Sequence, residues 1–231
     1  MRSPVQLRSR RVFLRSYRPT DAKVVWEAIE ESRPSLARWV PDIGRRRSLA
    51  EVEHVLAGLA HDRDQSPRLI FGVWERSSNR FLGEVGLYEL DPGTRHGEVG
   101  YWIRHTARRQ GYVSEALAAL LEYAKRELGL QRFEAHIASE NTASRRVAER
   151  LGLRIAGRRA PAPRWDGPAA EVLVYALADE CQCESVGIMQ PWPATAAEDQ
   201  QQRAHVRTSG GGSATFSCAC VPNTRRMNSR A

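Results

Sequence analysis

Cysteine is missing from the first 180 residues: all four, Cys181, Cys183, Cys218 and Cys220, lie beyond them. A folded unit there holds no disulfide and offers no thiol nucleophile. The two C-x-C pairs do not match the C-x2-4-C spacing of structural zinc, so no metal site is expected. Lysine is scarce as well, since Lys23 and Lys125 are the only two among 35 Lys and Arg. The net charge of +8 is therefore an arginine excess spread along the chain, and it gives little ground for a nucleic-acid partner. No stretch approaches the roughly 20 apolar residues of a membrane-spanning helix. Met1-Arg2-Ser3-Pro4 leads into charged residues rather than the apolar core of a secretion signal. A cytoplasmic protein without membrane attachment is expected.

The last part of the chain lacks a sustained period of 3.6 or 2. It carries Pro191-Trp192-Pro193, Gln200-Gln201-Gln202 and Ser209-Gly210-Gly211-Gly212-Ser213. This composition predicts a disordered tail over 181–231 after one domain over 1–180. Within the domain, Val12 to Tyr17 reads as a strand, and Pro19-Thr20-Asp21 opens a helix through Val24, Val25, Ala28 and Ile29. A second short helix carries Leu36, Trp39 and Val40. Ser48 and Glu51 form a capping-box signature ahead of Val52, Val55, Leu56 and Leu59. Leu69 to Trp74 and Phe81 to Leu90 read as a hairpin, followed by a strand over Glu98 to Ile103. Val113, Leu117, Leu120, Leu121, Ala124 and Leu128 then mark a strong helix stopped by Gly129. A strand over Phe133 to Ala138, a helix from about Asn141 to Leu151, and strands over Leu153 to Gly157 and Val172 to Ala178 complete an α+β unit.

The chemistry concentrates where the Glu98 strand ends and the Gly111 helix begins. Unpaired N–H groups, the positive end of the helix dipole, and Arg108 and Arg109 converge there on one spot suited to an anion such as a pyrophosphate. Neither G-K-[ST] nor G-x-G-x-x-G is present, which excludes the Walker A loop and the dinucleotide fingerprint. The local physics asks for an anion without naming it.

Arg108-x-x-Gly111-x-Val113 resembles the [QR]-x-x-G-x-[GA] motif with which GNAT N-acetyltransferases hold the pyrophosphate of acetyl-CoA. Glu98-Val-Gly-Tyr-Trp-Ile103 before it, Gly111-Tyr-Val-Ser-Glu-Ala116 within it, and Asn141-Thr-Ala-Ser144 to Leu151-Gly152-Leu153 after it are similar in order and spacing to the RimJ/RimL-type branch. Leu14-Arg15 and Trp39-Val-Pro41 extend the likeness over roughly residues 5 to 178. Val113 departs from the pattern, because the family usually has Gly or Ala there, and the extra bulk is expected to crowd the phosphate.

The resemblance implies the GNAT acyltransferase fold: a mixed, mostly antiparallel sheet with flanking helices, whose central parallel strands, Glu98 to Arg104 and Phe133 to Ala138, splay apart to pair with pantetheine. It implies acetyl-CoA as cosubstrate, with no metal. Trp102, Ile103, Arg104, Arg108, Arg109, Gln110, Gly111, Tyr112, Val113, Ser114 and Asn141 are the residues expected around it. A backbone N–H near Trp102 or Ile103 would stabilise charge on the thioester oxygen. Glu98 stands where several relatives carry the general base, with Glu84 on the neighbouring strand as the alternative. The tyrosine that many relatives use as general acid is replaced by Ala148, which points to Ser144. Trp39 and Glu84 are expected at the acceptor, while Trp26 suits either the acceptor wall or the core. His54, His96, His105 and His136 show no metal-ligand spacing and read as structural. Arg45-Arg46-Arg47 reads as solvated surface, with contact to ribosomal RNA as the functional alternative.

The expected reaction is transfer of acetyl to a primary amine by direct attack. The acceptor is a small molecule or a protein N-terminus such as that of a ribosomal protein, and the enzyme a monomer or homodimer. A non-catalytic acyl-CoA-binding regulatory module is the competing reading.

Overall fold

The computed structural model describes residues 5–61, 68–162 and 170–177. The chain divides into two units, Met1–Val186 and Gly187–Ala231. The tail expected from residue 181, and part of the loop from Arg158 to Gly167, lie outside the described residues.

Eight strands form one sheet in the order β1-β2-β3-β4-β5-β6-β8-β7. Strands β1 (Gln6–Arg8), β2 (Val12–Arg15), β3 (Leu69–Glu75), β4 (Phe81–Asp91) and β5 (His96–Ile103) pair antiparallel in sequence order. The parallel neighbour of β5 is β6 (Arg132–Ala138), and β8 (Ala170–Leu177) then pairs antiparallel with both β6 and β7 (Arg154–Ala162). The sequence misses β1, a three-residue strand at the sheet edge that is too short for any alternation to show. It also ends β7 early, at Gly157 rather than Ala162.

Period-2 alternation turns each strand's apolar residues to opposite faces. On one face, Leu14, Phe71, Val85, Leu87, Phe133 and Tyr175 pack beneath α4 (Tyr112–Glu127) and α5 (Thr142–Arg150). On the other, Trp74, Phe81 and Trp102 meet α1 (Ala22–Trp39), α2 (Pro41–Gly44) and α3 (Leu49–His61). The sequence divides α1 in two before Leu36, yet the helix runs on through Pro34. The reason lies in its buried row of Val25, Ala28, Ile29, Ser32 and Leu36, which continues at helical spacing across the proline. Burying Leu36 to 2% exposure offsets one lost backbone hydrogen bond.

Caps appear where the sequence places them. The Ser48 hydroxyl accepts from the Glu51 N–H at 3.2 Å, while the Glu51 carboxylate accepts from Arg47 rather than from Ser48 itself. Gly129, at φ +68°, reverses the chain so that the Leu130 N–H reaches back to the Ala124 carbonyl. Among the described residues, no helix is long and apolar enough to cross a membrane.

Candidate active site

The site begins where the central strands part. The Arg104 N–H donates to the Leu82 carbonyl at 2.8 Å, and the register pairs Trp102 with Glu84 and Gly100 with Gly86. Along an antiparallel pair the main-chain groups alternate sides, so those of Trp102 and Gly100 turn to β4 while those of Tyr101 and Ile103 turn away from it. On that far side the pairing with β6 ends at Glu98 and Glu134. The N–H groups of Tyr101 and Ile103 therefore face the gap between diverging strands. Of the two residues expected to meet the thioester oxygen, Ile103 keeps that geometry. The Trp102 N–H points to β4, and the Tyr101 N–H faces the gap beside that of Ile103.

A cavity of about 870 Å³ follows this gap, from the start of α4 past β5 and β6 to the wall of α1, α2 and α3. Gly111, immediately before α4, has φ +80°, a left-handed conformation that β-carbon-bearing residues adopt at a cost. The first helical bond runs from the Glu115 N–H to the Gly111 carbonyl, and no side chain caps this end. The N–H groups of Tyr112, Val113 and Ser114 thus precede the helical ladder and lack helical acceptors. Among the described residues, the buried Ser114 hydroxyl also has no hydrogen-bond partner. Arg108 and Arg109 line the same cavity. An uncapped helix start, a buried hydroxyl awaiting a partner and two guanidinium groups fit a pyrophosphate.

Several expected cofactor residues act otherwise. Arg104 does not line the cavity; its Nε donates to Glu31 at 3.0 Å and its Nη1 to the Phe81 carbonyl at 3.1 Å. Gln110 is also outside, with its side-chain amide donating to the Thr106 carbonyl. The Tyr112 hydroxyl donates to Glu75 at 2.6 Å, which leaves its backbone N–H as the group facing an anion. Val113 lines the cavity but is 8% exposed and packed into the core beneath α4, so its bulk is largely absorbed by the core. The Arg108 guanidinium donates to the Ser35 hydroxyl of α1.

Of the acidic residues that line the cavity, Glu84 and Glu98 stand on the central strands β4 and β5. Glu84 is 8% exposed and accepts a hydrogen bond from the Tyr17 hydroxyl at 2.7 Å. Burial raises its pKa against the opposing pull of Tyr17 and Arg46. The Tyr17 pKa lies well above 10, through burial and the adjacent Glu84, so its proton stays in place. Glu98 stands 3.2 Å from His136 Nδ1, and His136 Nε2 lies 3.5 Å from Glu134. Burial works against a charge on His136, but Glu134 and Glu98 outweigh it and push the pKa up to about 9. Glu98 and Glu134 thus favour the protonated imidazole, against the Arg159 guanidinium 3.3 Å from Nδ1.

On the opposite wall, the Ser144 hydroxyl sits 2.7 Å from the Tyr101 hydroxyl, and its N–H donates to Asn141 Oδ1 at 3.2 Å. Asn141 thus caps α5 while lining the cavity. Burial pushes the Tyr101 pKa up to about 12. Ala148, at the position where the resemblance leads to the expectation of a tyrosine acid, is 2% exposed. Trp39 lines the cavity beneath the Arg38 guanidinium, whereas Trp26 lies outside it and packs against the core of α1. Sequence reasoning misses the Tyr101–Ser144 contact and the grouping of Glu98, Glu134 and His136, because both join separate elements. It also misses Arg46, which leaves the solvated run to line the cavity. Among the described residues, no cluster of His, Cys, Asp and Glu is arranged to hold a metal ion.

Comparison with known proteins identifies the family and the fold. Residues 11–154 match the family described as the acetyltransferase (GNAT) domain. YdaF of Bacillus subtilis, named as a ribosomal N-acetyltransferase, is 26% identical over 183 residues, covering 72% of this chain and 90% of YdaF. The ribosomal-protein-serine acetyltransferase of Escherichia coli is 29% identical over 79 residues, 34% of this chain and 44% of that protein. Among solved structures, RimL, a ribosomal L7/L12 α-N-protein acetyltransferase in complex with coenzyme A, superposes with a TM-score of 0.69 at 20% identity, covering 75% of this chain and 98% of RimL.

Proposed function

Because this chain belongs to the GNAT acetyltransferase family and is an acetyl-CoA-dependent N-acetyltransferase, we propose that its acceptor is the α-amine of a protein N-terminus, in particular that of a ribosomal protein. The names of its relatives support the acceptor. The observation that carries the chemistry is the parting of β5 from β6 beside an uncapped helix start, with a buried carboxylate on the same cavity.

In this reading the N–H groups at the start of α4, Ser114, Arg108 and Arg109 hold the pyrophosphate, Asn141 lies along the arm, and the Tyr101 and Ile103 N–H groups stabilise charge developing on the thioester oxygen. Glu84 is the general base. It lies opposite Trp102, next to Ile103, and its raised pKa brings it closer to that of an amine. Glu98 lies five residues earlier along β5, and accepting a proton would cost it the His136 ion pair. Glu84 takes the ammonium proton, the neutral amine attacks the acetyl carbon, and the C–N bond forms as the C–S bond breaks. Ser144 gives a proton to the departing thiolate and regains one from solvent, which also takes the proton lost by the new amide nitrogen, with the Tyr101 hydroxyl hydrogen-bonded beside it.

The test is the pH profile of kcat/KM for wild type, Glu84→Gln and Glu98→Gln with an N-terminal peptide. Glu84→Gln is expected to lose roughly 10² to 10⁴-fold near neutral pH, and less at high pH where the amine is already neutral. A large loss in Glu98→Gln with Glu84→Gln near wild type moves the base to β5.

A further inference from the structure

The acceptor end of the cavity holds more than a wall and a base. The wall is apolar, formed by Leu36, Trp39, Ile43 and Leu59, and two guanidinium groups, Arg46 and Arg68, line the same end. Both are close enough to act on its buried groups: Arg46 lowers the pKa of Glu84, and Arg68 with Arg46 lowers that of Tyr88 against burial. Neither guanidinium makes a hydrogen bond or ion pair among the described residues. Asp42 also lines the cavity, with no ion pair to either among the described residues. Of the other arginines lining the cavity, Arg108 donates to Ser35, Arg109 belongs to the loop before α4, and Arg146 and Arg150 belong to α5.

An acceptor amine arrives as an ammonium, which Glu84 attracts. Once that ammonium is neutralised at Glu84, the two remaining cations favour a negative charge on the rest of the acceptor and repel a second positive one. We propose that Arg46 and Arg68 select acceptors carrying a carboxylate or phosphate close to the amine. This rests on the acetyltransferase reading of the cavity and narrows its substrate class. The anion can be an acidic side chain just after a protein N-terminus, or the α-carboxylate of a free amino acid.

The test uses the full chain with acetyl-CoA, reading thiol release. Acceptors come in matched pairs: peptides differing only by Asp or Asn at the second position, amino acids against their amides, and a polyamine. The quantity read is the acid-to-amide ratio of kcat/KM within each protein, so a partial folding loss in a variant cancels. Wild type is expected to prefer the acid by roughly 10 to 100-fold. The ratio should fall to a few-fold in Arg46→Met and Arg68→Met and recover in part in Arg46→Lys. Equal rates for acid and amide peptides overturn the inference and leave the N-terminal reading standing. Reaction of free amino acids but not peptides, with the same ratio, supports the anion preference and overturns the N-terminal acceptor. A preference for the polyamine overturns both.

Discussion

Glu31 offers a sharp perturbation because one carboxylate ties α1 to the segment that leads into the cofactor loop. It accepts from Arg104 Nε at 3.0 Å, from the Thr106 N–H at 2.8 Å and from the Thr106 hydroxyl at 2.8 Å. Next to it, Ser32 accepts from the His105 N–H at 2.9 Å, and one turn later Ser35 accepts from Arg108. Burial opposes the charge on Glu31, but Arg104 and Thr106 overcome it and lower the pKa from 4.5 to about 2. That difference converts to about 3 kcal/mol. With 23% of the side chain exposed, solvent screening reduces the contribution to about 1–2 kcal/mol. The folded pKa is depressed, so the contribution is complete above the unfolded value near 4.5 and is lost as pH falls toward 2. Glu31→Gln keeps the shape without the charge. Its unfolding midpoint at pH 7 should lie roughly 2–8 °C below wild type, with weaker CoA binding by calorimetry because residues 104–108 lose their strut. The gap in midpoint should narrow between pH 5 and pH 3. A gap of the same size at pH 7 and pH 3, or none at pH 7, refutes the reasoning.

Three further outcomes are expected. Gly111→Glu should abolish CoA binding in a calorimetric titration, since it puts a negative charge at an anion site. Gly111→Ala should cost about 1 kcal/mol in chemical denaturation through its φ of +80°. His136, raised to about 9 by its two carboxylates, stabilises the fold fully below its unfolded pKa near 6.5. That contribution is lost as pH rises through 9, and an NMR titration of the imidazole should show a midpoint well above 7. Ser144→Ala should lower turnover at least about 10-fold with CoA affinity retained, and Tyr101→Phe should have a smaller effect of the same kind.

The strand and helix order was legible because buried faces here follow simple periods. The Val113 to Leu128 pattern and the Phe81 to Leu90 run each announce their element, and Gly111 and Gly129 mark the two ends of α4. The second short helix expected at Leu36 is instead the end of α1, because a buried face at helical spacing runs on through Pro34. The loop glycine and Ser114 could be chosen from motif spacing alone. Which backbone N–H groups face the gap could not, since that depends on the pairing register of β4 and β5. The Glu31, Ser32 and Ser35 row reads in sequence as an ordinary polar face, and its role depends on where residues 104–108 fold back. Likewise, nothing local separates Arg46 from Arg45 and Arg47. Their different surroundings come from the way α2 and α3 meet the sheet.

The most direct measurement is intact-mass and N-terminal peptide analysis of purified ribosomal proteins incubated with acetyl-CoA and either the wild-type chain or Glu84→Gln. The expected result is a single added acetyl group on the α-amine of one or a few of these proteins, formed by wild type and nearly absent with Glu84→Gln. Acetylation confined to lysine side chains, or no acetylated ribosomal protein while a free small-molecule amine reacts readily, would contradict the N-terminal acceptor.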